Sequence, residues 1–497
     1  MPEQTLNTER NVLLITSEDD TTQYLRDHFA GRVILVSGEP SSCDPFPFLQ
    51  TNSAKSSKWW NFPVFHYVKN KLFGKDAAAA DQIDGMPLSI YCMGDIHKIM
   101  SSLTTGNYLI HAEFYHVREF SCNDGKEPVS TVDHPSPIFP GKSISVAQVP
   151  LKMHGRGIFV PRMFPARDDI YYNILNEHTL VDFRESNKPT NEYRKGLYIT
   201  PVTKVDEHTY GYHLLRCSTN LAGPTDDVCD TDTIILAAVN HLAEQYFDKP
   251  VDLNHVLAQL YCNDTKSSDR RTSEEGSAKQ TITTNKNQKK ATIKLHSGKT
   301  KDMPPEALIA FCSFYSGKGF EIAEQEETEQ ITDYPNTSIF DSYYKNTSVL
   351  TKLRFRLKKD VLNESKKYVE QFDVVLYPGS VFMMSLETNR LYTHEIVPSV
   401  LPVEKLPTRL SYVVRCSTTM AQYNQTDGQT FLTNDDDDTQ KNWIKLRPPC
   451  DEEEMDKLKE LYYEENATSR VMDYGNQDTF AFSLNEGDYW CPNVRRI

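Results

Sequence analysis

The sequence predicts a mainly β, α+β protein: a sandwich or jelly roll with flanking helices, preceded by an α/β-leaning region. Three observations carry this expectation. Short runs rich in Val, Phe and Tyr crowd the stretch from Val256 to Cys416, separated by turn chemistry such as Tyr377-Pro378-Gly379. Few segments have a helical period, the longest running from Thr231 to Tyr246. Near the start, two apolar β-type runs, Val12 to Ile15 and Val33 to Val36, flank a helix-compatible segment from Thr21 to Phe29.

Taken in order, the opening α/β unit has no phosphate-loop glycines after either strand, and Pro, Gly and Ser clusters then break the pattern from Cys43 to about Pro150. A helix-like stretch around Asp168 to Asn176 precedes the longer one. Strands are expected at Val256 to Tyr261, Ala307 to Tyr315, Leu353 to Leu357, Phe372 to Tyr377, Ser380 to Ser385 and Arg409 to Cys416. Within this series 263–290 is almost devoid of apolar residues and reads as a mobile surface insertion. An acidic run from Asn434 to Asp438 reads as a linker, followed by a charged helix candidate from Asp451 to Glu465 and a tail that includes Tyr489-Trp490-Cys491. The expected division is therefore 1–150 without assigned role, 151–420 as the main β domain, and 421–497 as acidic linker and tail.

Length and charge narrow the function classes. At 497 residues with 38% hydrophobic and 25% charged residues, the chain can fill more than one core. A net charge of −15 argues against coating nucleic acid non-specifically, which draws affinity from Lys and Arg. The ten cysteines are scattered singly without zinc-type spacing and are expected to be reduced. Residues Met1 to Arg10 are polar where a secretory leader needs a basic start and an apolar stretch, and no apolar run approaches a membrane span. The expected location is intracellular, in cytoplasm or nucleus.

Chemistry is suggested first by Arg409-Leu410-Ser411-Tyr412-Val413-Val414-Arg415. On an extended strand Arg409, Ser411, Val413 and Arg415 point the same way, so two guanidiniums and a hydroxyl face one side. A buried Arg needs an anion, and its planar fork matches a carboxylate. The plain alternative is a structural ion pair on an exposed strand face.

The run Pro378 to Ser385, then His394, then Arg409-x-Ser411-x-x-x-Arg415, resembles the C-terminal signature of the AlkB-like 2-oxoglutarate- and Fe(II)-dependent dioxygenases. Upstream, Gln259-Leu260-Tyr261 stands where that family has an N-x-Y-like strand. His296-Ser297-Gly298-Lys299-Thr300-Lys301-Asp302 stands where it has an H-x-D turn. The resemblance implies a double-stranded β-helix, with His296 and His394 binding Fe(II) and Arg409, Ser411, Arg415, Tyr261 and Gln259 around 2-oxoglutarate. It implies oxidative decarboxylation of 2-oxoglutarate coupled to hydroxylation or oxidative demethylation of a substrate, with no catalytic residue beyond the metal centre.

One departure bears on all of this. Position 298, where the family places its carboxylate ligand, is Gly298. Asp302 is a substitute third ligand if the turn folds back. An exogenous anion or water could fill the place instead, as in halogenase-type open iron sites. A third possibility is a degenerate module that keeps the pocket and binds without turnover. Nucleic acid enters as a partner only through the stretch Asp264 to Lys301, which carries ten Lys and Arg against four Asp and Glu. A solvated loop has the same composition.

Overall fold

In the computed structural model, the strand-forming runs between His255 and Arg415 pair into two antiparallel sheets that share one core. The structure describes residues 4, 6–8, 11–16, 20–36, 49–51, 66–67, 72–73, 89–94, 113–118, 142–164, 169–183, 194–217, 221–248, 250–266, 287–316, 343–344, 347–348, 350–364, 367–400, 403, 406–433, 443–475 and 479–494. The expected insertion lies mostly outside these, as does the acidic run from Asn434 to Asp438.

The larger sheet has eight strands, in the order Val181–Asp182, Arg194–Ile199, His255–Tyr261, Arg409–Arg415, Leu308–Tyr315, Ser380–Ser385, Ile158–Val160 and Leu151–Lys152. The smaller has four, Ile293–His296, Tyr392–Val397, Lys352–Leu357 and Gln371–Val375. From His255 onward the chain alternates between them, entering the larger sheet with His255–Tyr261, Leu308–Tyr315, Ser380–Ser385 and Arg409–Arg415. The smaller sheet takes the strands between, apart from two short two-stranded ladders, Asp264–Lys266 with Asn287–Lys289 and Tyr343–Tyr344 with Thr347–Ser348. Gly379 makes one return possible: its φ of +75° suits glycine, and a Cβ there would collide with the Phe164 carbonyl oxygen.

Side-chain alternation gives the larger sheet two different faces. Toward the smaller sheet, Ile309, Phe311, Phe382 and Met384 pack against Leu353, Phe355, Phe372 and Tyr392, with the Phe355 and Phe382 rings 5.3 Å apart. The opposite face, with Ala258, Ala310, Leu410 and Tyr412, is covered by the helices Ile170–Glu177 and Asp230–Tyr246. Ile235, Val239, Leu242 and Tyr246 form the buried stripe of the longer helix, at a spacing of three and four residues.

The first part of the chain forms a further sheet of six strands, parallel except at the Leu49–Thr51 edge. Its strands Ser89–Met93, Glu113–Arg118 and Lys142–Ser145 fall where the sequence showed no clear pattern. It docks on the helix face through Asn11 Nδ2 to the Gln245 carbonyl (3.2 Å) and Gln245 Nε2 to Ser89 Oγ (3.1 Å). A five-stranded antiparallel sheet joins Thr203–Lys204 and Thr209–His213 to Met420–Asn424, Gln429–Thr433 and Ile444–Lys445. The architecture is thus α+β with mostly antiparallel sheets. Among the described residues, no helix is long and apolar enough to cross a membrane. All the described cysteines are free thiols, most of them buried.

Candidate functional site

Strand pairing brings the two histidines together. His296 ends its strand directly opposite His394, so both side chains leave the same face of the smaller sheet. Their ring centroids lie 4.4 Å apart. His394 is buried among Phe311 and Phe355, whose ring centroids are 5.3 and 5.7 Å away. Tyr392 and Ile396 continue the same buried face of its strand.

Both rings are neutral. Burial pushes the His296 pKa down to about 4, opposed by its bond to the Lys294 carbonyl and aided by the charges of Lys299, Arg194 and Arg415. Burial likewise lowers that of His394, aided by His296, Lys358, Arg415 and Lys299. His296 Nδ1 donates to the Lys294 carbonyl at 2.8 Å, which leaves Nε2 as the ring's lone-pair nitrogen. His394 Nδ1 is buried with no partner among the described residues.

Arg409 faces the same interior from the larger sheet. Its register neighbours are Tyr261 on one side and Tyr315 on the other, and its guanidinium lies 3.8 Å from the centroid of the Tyr261 ring. The residue is 4% exposed, yet both Nη atoms lack a hydrogen-bond partner among the described residues. Two donors of a permanent cation are thereby left buried and open, an arrangement that an anionic ligand would satisfy. A cavity opens at this point, lined by Tyr261, Asn263, Tyr315, Thr351, Ser399 and Arg409. Along the same inner face, Ser411 is buried, and Ser313 Oγ and Ser380 Oγ are buried without partners among the described residues. Gln259 Oε1 accepts from Arg194 Nη1 (3.3 Å) and from the Tyr261 hydroxyl (3.4 Å). Arg415 donates Nη1 to Cys217 Sγ at 3.2 Å, further down the strand.

Position 298 is filled from elsewhere. The Gly298 N–H donates to Asn389 Oδ1 (2.8 Å), and Asn389 Nδ2 donates back to the Gly298 carbonyl (2.9 Å). A Cβ at Gly298 would stand 3.1 Å from Asn389 Oδ1 and 3.3 Å from Ile309 Cδ1, so any side chain there must move this buried carboxamide. Asp302 is the buried counter-ion of Arg216. Its oxygens accept from Arg216 Nη2 (2.6 Å), the Arg216 N–H (2.6 Å) and the Thr419 hydroxyl (2.9 Å). Of the residues singled out in the sequence, the structure gathers His296 with His394, and Tyr261, Gln259, Ser411 and Arg409 along one face.

Two features had no sequence signal. One is Asn389, on the short helix Leu386–Leu391, whose role arises from a pairing with a residue far away in the chain. The other is the docking of the C-terminal helix Glu452–Ala467, itself expected from the charged run Asp451 to Glu465, against the turn after His296.

A second group of metal-type side chains lies on the helix face. Glu177, His178, Cys229 and Asp232 place ligand atoms within 4.8 Å of one another. Both His178 nitrogens face carboxylates, Asp226 at 3.0 Å and Asp232 at 2.8 Å. Burial opposes charge on this ring, but the two carboxylates outweigh it and raise the pKa to about 9. An imidazolium with both N–H groups engaged has no lone pair for a metal.

No model of a known protein family matches the chain, and no curated protein matches it.

Proposed function

We propose that the protein is a 2-oxoglutarate- and Fe(II)-dependent oxygenase whose two facing sheets are the halves of a double-stranded β-helix. The alternation of strands between sheets supports the second part of this reading. The observation that carries the first part is the buried Arg409 guanidinium, two donors open, on the same interior as a pair of neutral imidazoles.

The donor set fits. Two imidazole nitrogens about 2.1 Å from one ion at a right angle put their ring centroids roughly 4.5 Å apart, comparable to the 4.4 Å between His296 and His394. Arg409, stacked on Tyr261, would clamp one carboxylate of 2-oxoglutarate. Bound Fe(II) would supply oxygen activation coupled to decarboxylation of the co-substrate. The chain's own part is to keep both imidazoles unprotonated, orient the co-substrate and surround it with Phe311, Phe355 and Ile396. In this reading Asp302 belongs to the Arg216 ion pair and not to the metal.

Gly298 and Asn389 favour a second reading, a module that keeps the pocket and binds without turnover, because position 298 has no side chain and among the described residues a carboxamide, not a carboxylate, fills it. One assay separates the two. Purified protein with Fe(II), 2-oxoglutarate and oxygen is expected to form succinate, and His394→Ala or Arg409→Leu to reduce the rate at least about tenfold, ~1.4 kcal/mol. Tight binding of 2-oxoglutarate without succinate would establish the module, and no binding of either ligand would remove both readings. Of the basic stretch Asp264 to Lys301, Lys299 and Lys301 are engaged by the carbonyls of Tyr462 and Phe480, while residues 267–286 lie outside the described residues.

A further inference from the structure

His296 is the last residue of its strand, after an irregularity in the ladder, and it keeps part of its surface open. Its strand therefore fixes the ring from one side only. Of the next four residues, Ser297, Lys299 and Thr300 are held by the C-terminal helix. The Ser297 N–H donates to Asn466 Oδ1 at 2.9 Å, and Lys299 Nζ donates to the same oxygen at 2.8 Å and to the Tyr462 carbonyl at 2.6 Å. Glu465 accepts from the Thr300 N–H (3.1 Å) and hydroxyl (2.6 Å) and pairs with Lys299 at 3.5 Å. Lys358, from the smaller sheet, donates to the carbonyls of Glu465 (2.7 Å) and Thr468 (2.8 Å). Glu465 is 3% exposed, so this network is fixed by its own partners and not by water.

We propose that Asn466 and Glu465 are positioning residues for the metal site, setting the orientation of His296 through the backbone of 297–300. The inference rests on the reading of His296 as a metal ligand. Asn389 grips Gly298 from one side and Asn466 grips Ser297 from the other, so the turn after the imidazole is held between two carboxamides. Metal binding and docking of the C-terminal helix are then one coupled equilibrium: whatever loosens the helix weakens the metal, and the metal tightens the helix. A helix that merely braced the fold would change the melting temperature and leave the metal affinity of the folded protein alone.

The test uses the full chain with Co(II) as a spectroscopic probe and 2-oxoglutarate present, comparing wild type, Asn466→Leu, Asn466→Asp and His394→Ala. Outer partners of metal ligands typically change affinity by about 10–100-fold. Asn466→Leu is expected to weaken Co(II) binding by that order. Asn466→Asp keeps an acceptor oxygen for both donors and is expected to restore most of it. If Asn466→Leu does not fold, hydrogen exchange in the wild type decides: amides of 462–468 slow on Co(II) loading if the coupling exists. Equal Co(II) affinity in wild type and Asn466→Leu, or unchanged exchange, overturns the role of the helix. A wild type that binds no Co(II), or a His394→Ala that binds as well as wild type, overturns instead the metal site on which the inference rests.

Discussion

Position 298 offers only backbone, and Asn389 takes it with a reciprocal pair of hydrogen bonds. An aspartate placed there would stand 3.1 Å from the carboxamide oxygen at its first carbon, so a restored carboxylate needs the Asn389 side chain to yield. Asp302, four positions on, shows the opposite economy. It is fully engaged by Arg216 and Thr419 at 1% side-chain exposure, and removing one partner of a buried pair typically costs about 3–5 kcal/mol. Asp302→Asn is accordingly expected to lower stability by several kcal/mol in a denaturant titration, on that scale, while the folded fraction keeps its metal affinity. Loss of metal with stability intact would instead make Asp302 a ligand. The sequence exposed His296, His394 and Arg409 because short motifs and strand alternation place them. Asn389 was not legible, since its partner is fixed by the packing of the helix Leu386–Leu391 and by nothing nearby in the chain.

At the scale of elements, the β-branched and aromatic runs after His255 became strands with ends close to those expected. Arg194–Ile199 opens on Arg-Lys-Gly and Thr209–His213 has a glycine at its centre, so neither carried a strong strand signal. Gly196 is nonetheless required there, because a Cβ would strike the Ala258 carbonyl of the neighbouring strand. The helix Ile170–Glu177 ends on His178, buried between Asp226 and Asp232 where a helix C-terminus also favours a cation. Its pKa rises from 6.5 to about 9. A raised folded-state pKa stabilises fully below the unfolded value, and the contribution is lost as pH climbs through the folded one. Thermal stability is therefore expected to fall between about pH 6.5 and pH 9 in the wild type. His178→Gln should be less stable at neutral pH and flatter across that window; an equal slope in the two proteins would show that the ring is not charged.

For the whole molecule, the informative contrast is between a net charge of −15 and an interior pocket whose neighbours are Arg409, Arg415, Lys299 and Lys358. A divalent ion held by two neutral imidazoles keeps both of its charges beside these cations, without a carboxylate at position 298 to offset them. Under the proposed function the missing anion arrives with the ligand, and a dicarboxylate would supply it at both the metal and Arg409. That proposal therefore predicts that metal and 2-oxoglutarate bind cooperatively. Anaerobic Fe(II) titration followed calorimetrically, with and without 2-oxoglutarate, measures this directly. The expected result is one site per chain, tightened at least about tenfold by the co-substrate, ~1.4 kcal/mol of coupling, and lost in His394→Ala. Fe(II) binding that ignores both 2-oxoglutarate and the His394 substitution would contradict it.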